Sequence, residues 1–202
     1  MKKIKRNVAL IFIALLASNC VGTSGVNFER VKEDTISLGV STYDDIVNRM
    51  GDSFEEDVYK KNNKQFKLIG YTYSSTGGAA TSKRVIAGRQ QMFYFYKDIL
   101  VGHQFTSSWQ VDHTDFDETK VEQINKGEST KEDVINLLGR PSGKLIYPLS
   151  KNKGEEILIY SYYEGRQYAY TIEFFQKYLQ VECDQMGTVI EIEYTETGNK
   201  LK

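Results

Sequence analysis

The chain has 202 residues, with 26 basic and 27 acidic side chains for a net charge of −1, and 40% of its residues are hydrophobic. That balance gives no basic footprint for duplex nucleic acid. Two cysteines and two histidines exclude a disulfide-dense scaffold and a cysteine-built zinc site, and two prolines with this hydrophobic share exclude a disordered chain.

The first segment reads as an address. Lys2, Lys3, Lys5 and Arg6 precede an unbroken apolar run from Val8 to Ala17. Ten helical residues rise about 15 Å, half of a bilayer core, so the run is a secretory signal and not a membrane span. Leu16-Ala17-Ser18-Asn19-Cys20 then resembles the lipobox of bacterial lipoproteins, in which the cysteine is acylated and the chain is cut before it. The resemblance implies a signal peptide over 1–19, a lipid-carrying Cys20 and a short tether over 20–27. Val21, and not Asp, follows the cysteine, which in that family implies sorting to the outer membrane, facing the periplasm. Taking the four bases of the signal from the 26 and leaving all 27 acids moves the net charge from −1 to −5. An ordinary signal cut nearby, with Cys20 a bystander, is the competing reading.

The next feature is an internal repeat. Phe28–Gly51 aligns with Phe116–Gly139 at a constant offset of 88 residues, keeping Ile36/Ile124, Gly39/Gly127, Ser41/Ser129, Thr42/Thr130, Asp45/Asp133, Asn48/Asn136 and Gly51/Gly139. Glycine just past a short helical segment explains Gly39 and Gly127. Ser-Thr followed by acids gives a helix N-cap at either hydroxyl, and the spacing leaves both registers open. Val134, Leu137 and Leu138 form one apolar helical stripe, which Gly139 and Pro141 end.

Strand patterns follow each helical pair. In the first copy they are Gln65–Ser75, Gln91–Lys97 and Leu100–Ser107, with a glycine-rich stretch at Thr76–Ala80 expected as a mobile hairpin tip. In the second they are Glu155–Tyr163, Tyr168–Asp184 and Thr188–Thr195. The stretch 164–178 reads either as a loop turning into strand or as an extra hairpin, and the last strand either carries a bulge or is covered on both faces. The expected fold class is therefore α+β, as two tandem units of helix, helix and three-stranded antiparallel sheet over 28–110 and 116–202.

Ile124 to Pro141, with Gly127, the Ser-Thr cap, the short helix and the terminal Gly-Arg-Pro, resembles the signature of the SmpA/OmlA (BamE-like) lipoprotein family, and Ile159-Tyr160-Ser161-Tyr162 and Gly187-Thr188-Val189 resemble its later part. The first copy matches more weakly, and the tandem arrangement resembles that of the β-lactamase inhibitory protein fold. The resemblance implies a lipid-anchored protein-binding module of the envelope, in outer-membrane protein assembly or envelope maintenance. The alternative it implies is an inhibitor-like binder of an envelope or secreted hydrolase. A third reading, an envelope hydrolase, requires a nucleophile–base pair or paired carboxylates, and the sequence assembles neither, so no enzyme activity, cofactor or metal is expected; the expected partners are the membrane, through Cys20, and an envelope protein, with no nucleic acid and no small-molecule substrate.

Among residues that could carry contact or chemistry, the strand tyrosines stand out. Tyr71, Tyr73, Tyr160 and Tyr162 are the candidate binding residues, either as a docking surface or as cross-strand packing between the units. Aromatics of both parities in Phe93–Tyr96 require both sheet faces covered or one exposed. His113 with Asp112, Asp115 and Asp117 matches no ligand spacing and reads as a solvated linker. Cys183 lies in a strand and reads as a buried, inert thiol.

Overall fold

The computed structural model describes residues 22–198. The signal segment and Cys20 lie outside the described residues. In chain order the elements are β1 (Thr23–Gly25), a 3-10 turn (Glu33–Thr35), α1 (Tyr43–Met50), β2 (Glu55–Lys61), β3 (Lys64–Ser75), β4 (Val85–Tyr96), β5 (Ile99–Ser107), a 3-10 segment (Glu118–Gln123), α2 (Lys131–Leu138), β6 (Gly143–Ile146), β7 (Glu156–Tyr168), β8 (Thr171–Cys183) and β9 (Val189–Gly198).

The expected α+β class of two helix-helix-sheet units is corrected here: the protein is mainly β. The described strands join one nine-stranded antiparallel sheet in the order β1-β3-β4-β5-β6-β7-β8-β9, with β2 on the same edge of β3 as β1. Two contacts merge what the repeat pattern separates. The short β6, just past Pro141, pairs with β5 through Gly102↔Leu145 and with β7 through Gly143↔Ile159. β4 also pairs with β7 through Val85↔Arg166 and Ile86↔Gly165, which closes β4, β5, β6 and β7 into a barrel. The first helix expected in each copy is only a 3-10 piece of three or six residues. Neither segment offers the sustained apolar stripe that a packed α-helix needs.

The α-helices form where their caps are strongest. Thr42 and Thr130 are the N-caps, each accepting from the backbone N–H of Asp45 or Asp133, whose carboxylates accept from the cap N–H in return. Ser41 and Ser129 close the preceding turns instead, their hydroxyls accepting from the N–H of Ser37 and Asn125 at 2.9 and 2.8 Å. Gly39 and Gly127, at φ +80° and +82°, donate to the carbonyls of Leu100 and Val189, both at 2.8 Å. The same clamp of helix start onto strand start thus occurs twice, at the offset of the sequence repeat.

Three clusters make up the core. Ile46 of α1 packs on Ile69, Tyr71, Phe93, Phe95 and Leu100. Val134 of α2 packs on Leu158, Tyr160, Leu179, Val181 and Val189. The opposite face of the sheet carries Phe66, Val101, Leu145, Leu149, Ile157 and Ile159, with Tyr59, Tyr94, Tyr96 and Tyr178 packed against them. Both parities of Phe93–Tyr96 are therefore covered. β7 and β8 form one continuous hairpin from Glu156↔Cys183 to Tyr168↔Thr171, replacing both readings of 164–178, and a register shift between Glu182 and Cys183 supplies the bulge beside β9.

A charged joint ties the N-terminal segment to the second half. Glu33 receives Arg140 at 3.2 Å and Lys144 at 3.1 Å, while Arg30 donates to the Pro141 carbonyl at 2.8 Å and lies over the Phe105 ring. Burial holds the Glu33 carboxyl up, but the cations beside it win and keep it below the usual carboxylate range.

Candidate interaction surfaces

The tyrosines singled out by the sequence are mostly inside the fold. Tyr71 is buried against Phe93 and donates to the Gly51 carbonyl at 2.6 Å. Tyr160 is its counterpart in the second half, donating to the Gly139 carbonyl at 2.9 Å. Both hydroxyls thus satisfy the last carbonyl of the neighbouring helix end, a structural use. Burial pushes the Tyr71 hydroxyl up to about 12 and that of Tyr160 higher still. Tyr162 is buried too, donating to Glu164 at 2.8 Å, with the Thr81 hydroxyl 2.9 Å away; Glu164 in turn holds Arg166 at 2.6 Å. Tyr73 is half-buried and stacks on Trp109 with ring centroids 5.8 Å apart. No common surface brings these four rings together for a partner.

The other sequence candidates are dispersed as well. Asp112 pairs with Arg89 at 3.2 Å, Asp115 with Lys177 at 2.6 Å, and Asp117 caps Thr119. His113 is exposed and His103 is buried on β5. Among the described residues no group of three metal-ligating side chains converges. Cys183 is buried and free, and burial pushes its thiol up to about 11, far from a nucleophile's range. The glycine-rich stretch is docked and not a loose tip. Ala80 bridges Trp109, and a Cβ on Gly78 would come within 2.6 Å of the Trp109 ring and 2.7 Å of Ala87 Cβ.

Sequence reasoning missed the surface that is open. At one end of the sheet, β2, the start of β3 and the β4–β5 turn border a groove of about 550 Å³. Phe95, buried on the α1 face, lies at its base, Phe66 lines it from β3 while its ring packs on the opposite face of the sheet, and Val58, 52% exposed, rises at its wall. Its rim carries both signs: Glu56, Asp57 and Asp98 against Lys67 and Lys97. Lys67 lies 4.0 Å over the Tyr43 ring, whose hydroxyl donates to Glu56 at 2.6 Å, so α1 braces this rim. That hydrogen bond, before burial, pushes the Tyr43 hydroxyl up to about 12. Asn62 and Asn63, at φ +50° and +57°, make the tight β2–β3 turn that builds the groove, and Asn62 donates to the Pro148 and Ser150 carbonyls at 3.1 Å. Asn-Asn between polar runs was the readable signal for this hairpin. A second, smaller cleft of about 360 Å³ lies between Asn152–Glu155 and the β8–β9 turn, beside Met186, which is 90% exposed.

An open, mixed-charge groove with an apolar floor suits a protein segment better than a small molecule, which favours enclosed sites. No family model, curated protein or solved structure matches this chain.

Proposed function

We propose that this chain is a lipid-anchored protein of the cell envelope that binds a partner protein with the end of its sheet farthest from the anchor. The supporting observation is the groove walled by Val58 and rimmed by Glu56, Asp57, Lys67, Lys97 and Asp98. The chain enters the fold at β1, which pairs Thr23 with Ser75 at the C-terminal end of β3, whereas the groove lies at the N-terminal end of that strand. An acyl chain on Cys20 would therefore leave the groove facing away from the lipid. The SmpA/OmlA resemblance supports an outer-membrane position facing the periplasm and a role in outer-membrane protein assembly or envelope maintenance. The function is binding and not catalysis. An inhibitor-like role would use the sheet face opposite the helices, and that face is filled by Phe66, Tyr94, Tyr96, Ile157, Ile159 and Tyr178.

The test is site-specific photocrosslinking in intact cells. A photoreactive side chain at Val58 should give a discrete adduct, and Lys67→Glu with Lys97→Glu should abolish it. Adducts equally abundant from a probe at Glu128, an exposed site in the turn before α2, would refute the groove as the docking site.

A further inference from the structure

The end of the sheet where the chain enters has its own unused surface. Four pairings set it: Thr23↔Ser75, Ser75↔Ala87, Ile86↔Gly165 and Gly165↔Phe174. They bring β1, the end of β3, the start of β4 and the β7–β8 hairpin to one end. The Gly22 N–H donates to the Thr76 hydroxyl at 3.0 Å, and Cys20 precedes Gly22 by two residues, roughly 7 Å of extended chain.

The turn of that hairpin lies at the same end. Past the β4 pairing at Arg166 the Gln167 N–H donates to the Arg84 carbonyl at 2.8 Å, Tyr168↔Thr171 is the last pair of the hairpin, and Ala169 and Tyr170 form the turn. Tyr170 is fully exposed and Phe174 is 42% exposed, its ring stacked on Tyr163 at 5.6 Å. Val111, 83% exposed, stands on the neighbouring turn, which is tied to Ala79 by the Gln110 N–H. The cations here are Arg84, 5.4 Å over the Tyr168 ring, and Lys83, both exposed. This is an edge of amphipathic rings with a basic flank. Tyrosine belongs at the water–lipid boundary because its ring is apolar and its hydroxyl wet. Lys and Arg beside it are drawn to anionic headgroups.

We propose that the β7–β8 hairpin tip is a second membrane contact: Tyr168, Tyr170 and Phe174 rest in the headgroup layer of the bilayer that carries the chain, and Lys83 and Arg84 bind its anionic lipids. This rests on Cys20 as the anchor for its orientation. An acyl anchor alone lets the protein swivel; a second contact at the same end fixes the sheet upright and holds the far groove away from the surface.

The test uses the full-length acylated protein in vesicles of phosphatidylethanolamine and phosphatidylglycerol at three to one. A fluorophore is attached at Tyr170→Cys, and in a second protein at Met186→Cys at the far end; buried Cys183 stays unlabelled. Brominated lipids should quench the label at 170 at least threefold more than the label at 186. Equal quenching, with both labels open to aqueous iodide, would overturn the proposal. In the Cys20→Ala protein, Lys83→Gln with Arg84→Gln should lower the residual partitioning into these vesicles by roughly fivefold per charge; an unchanged partition coefficient overturns the cationic part. If Cys20→Ala binds as tightly as the parent while the label at 170 is still quenched, the anchor fails and the hairpin contact stands.

Discussion

His103 gives the fold a specific sensitivity to acid. It is only 3% exposed on β5, where it sits opposite Phe93 of β4 and Lys144 of β6. Burial is the main reason its pKa falls from 6.5 to about 4; Arg30, Lys144 and Arg140 push the same way, and Glu33 opposes them. The folded value lies below the unfolded one, so between those limits the unfolded chain binds the extra proton. Stability contributed by the neutral imidazole is therefore complete above pH 6.5 and lost as the pH falls toward 4. At pH 5 the loss is about 2 kcal/mol, and it approaches 3 kcal/mol at lower pH. Urea unfolding from pH 7.5 to 5 measures this directly, with His103→Gln as the comparison. The variant loses stability at every pH, but its slope over this range should be flatter by about 2 kcal/mol in total. Glu182, whose carboxyl burial pushes up, acts with the opposite sign, gaining stability as the pH falls, and is common to both proteins. Parallel pH profiles for the two would refute the assignment to His103.

Other consequences are as concrete. Thr42→Ala and Thr130→Ala each remove a reciprocal cap and should cost about 1 kcal/mol by denaturant melts, adding in the double variant because the two caps share no partner. Lys177, 4% exposed in its side chain, is held by Asp115, Glu118 and the Phe116 carbonyl. Lys177→Ala should cost roughly 3 kcal/mol, with Lys177→Met recovering part of it, since an apolar chain of similar length refills the site between the Phe116 and Tyr162 rings. Equal losses for both would point to the charge alone. Cys183 should resist a thiol reagent at pH 8 and react fully in denaturant; rapid reaction in the native state would contradict its burial. Gly78→Ala should displace Trp109, shifting its fluorescence and near-ultraviolet dichroism, because the Cβ would stand 2.6 Å from the ring.

Local chemistry was legible in the sequence and partner choice was not. Thr42 with Asp45, and Thr130 with Asp133, are cap spacings that need no tertiary context, and Gly39 and Gly127 take the positive φ that favours glycine. The strands at 65–75 and 100–107 follow from alternation and β-branched or aromatic content. The pairing of Gly143–Ile146 between β5 and β7 is set by residues some forty positions away on one side, and no four-residue run encodes it. The strand expected at 91–97 begins earlier, at Val85, because Thr72–Ser75 of β3 pair with Ala87–Gln90 and Gly165 and Arg166 of β7 pair with Ile86 and Val85. β2, with Glu55, Glu56, Asp57, Lys60 and Lys61, looks like surface because it is an edge strand, where charge guards against stray pairing. Tyr71 and Tyr160 are used inside the fold for a related reason. Alternation gives two faces but not which face the helices cover, so Tyr71 and Tyr160 were candidates for contact when their hydroxyls close helix ends.

The separation of the two surfaces follows from strand length. β3 runs from Lys67 on the groove to Ser75 beside the chain entry, eight residues or about 26 Å. β4 spans the same distance in reverse, and both are held on one face by α1 and on the other by the aromatic cluster around Tyr94. Such a sheet does not bend on the scale of a surface loop, so orientation imposed at one end is transmitted to the other. The closure of β4 on β7 matters most here. Val85↔Arg166, Ile86↔Gly165 and the Thr81–Tyr162 hydroxyl pair join the hairpin to the first half at the entry end. Those few contacts, with the Gln167 N–H on the Arg84 carbonyl, couple the Tyr168–Tyr170 turn to the strands that carry the groove.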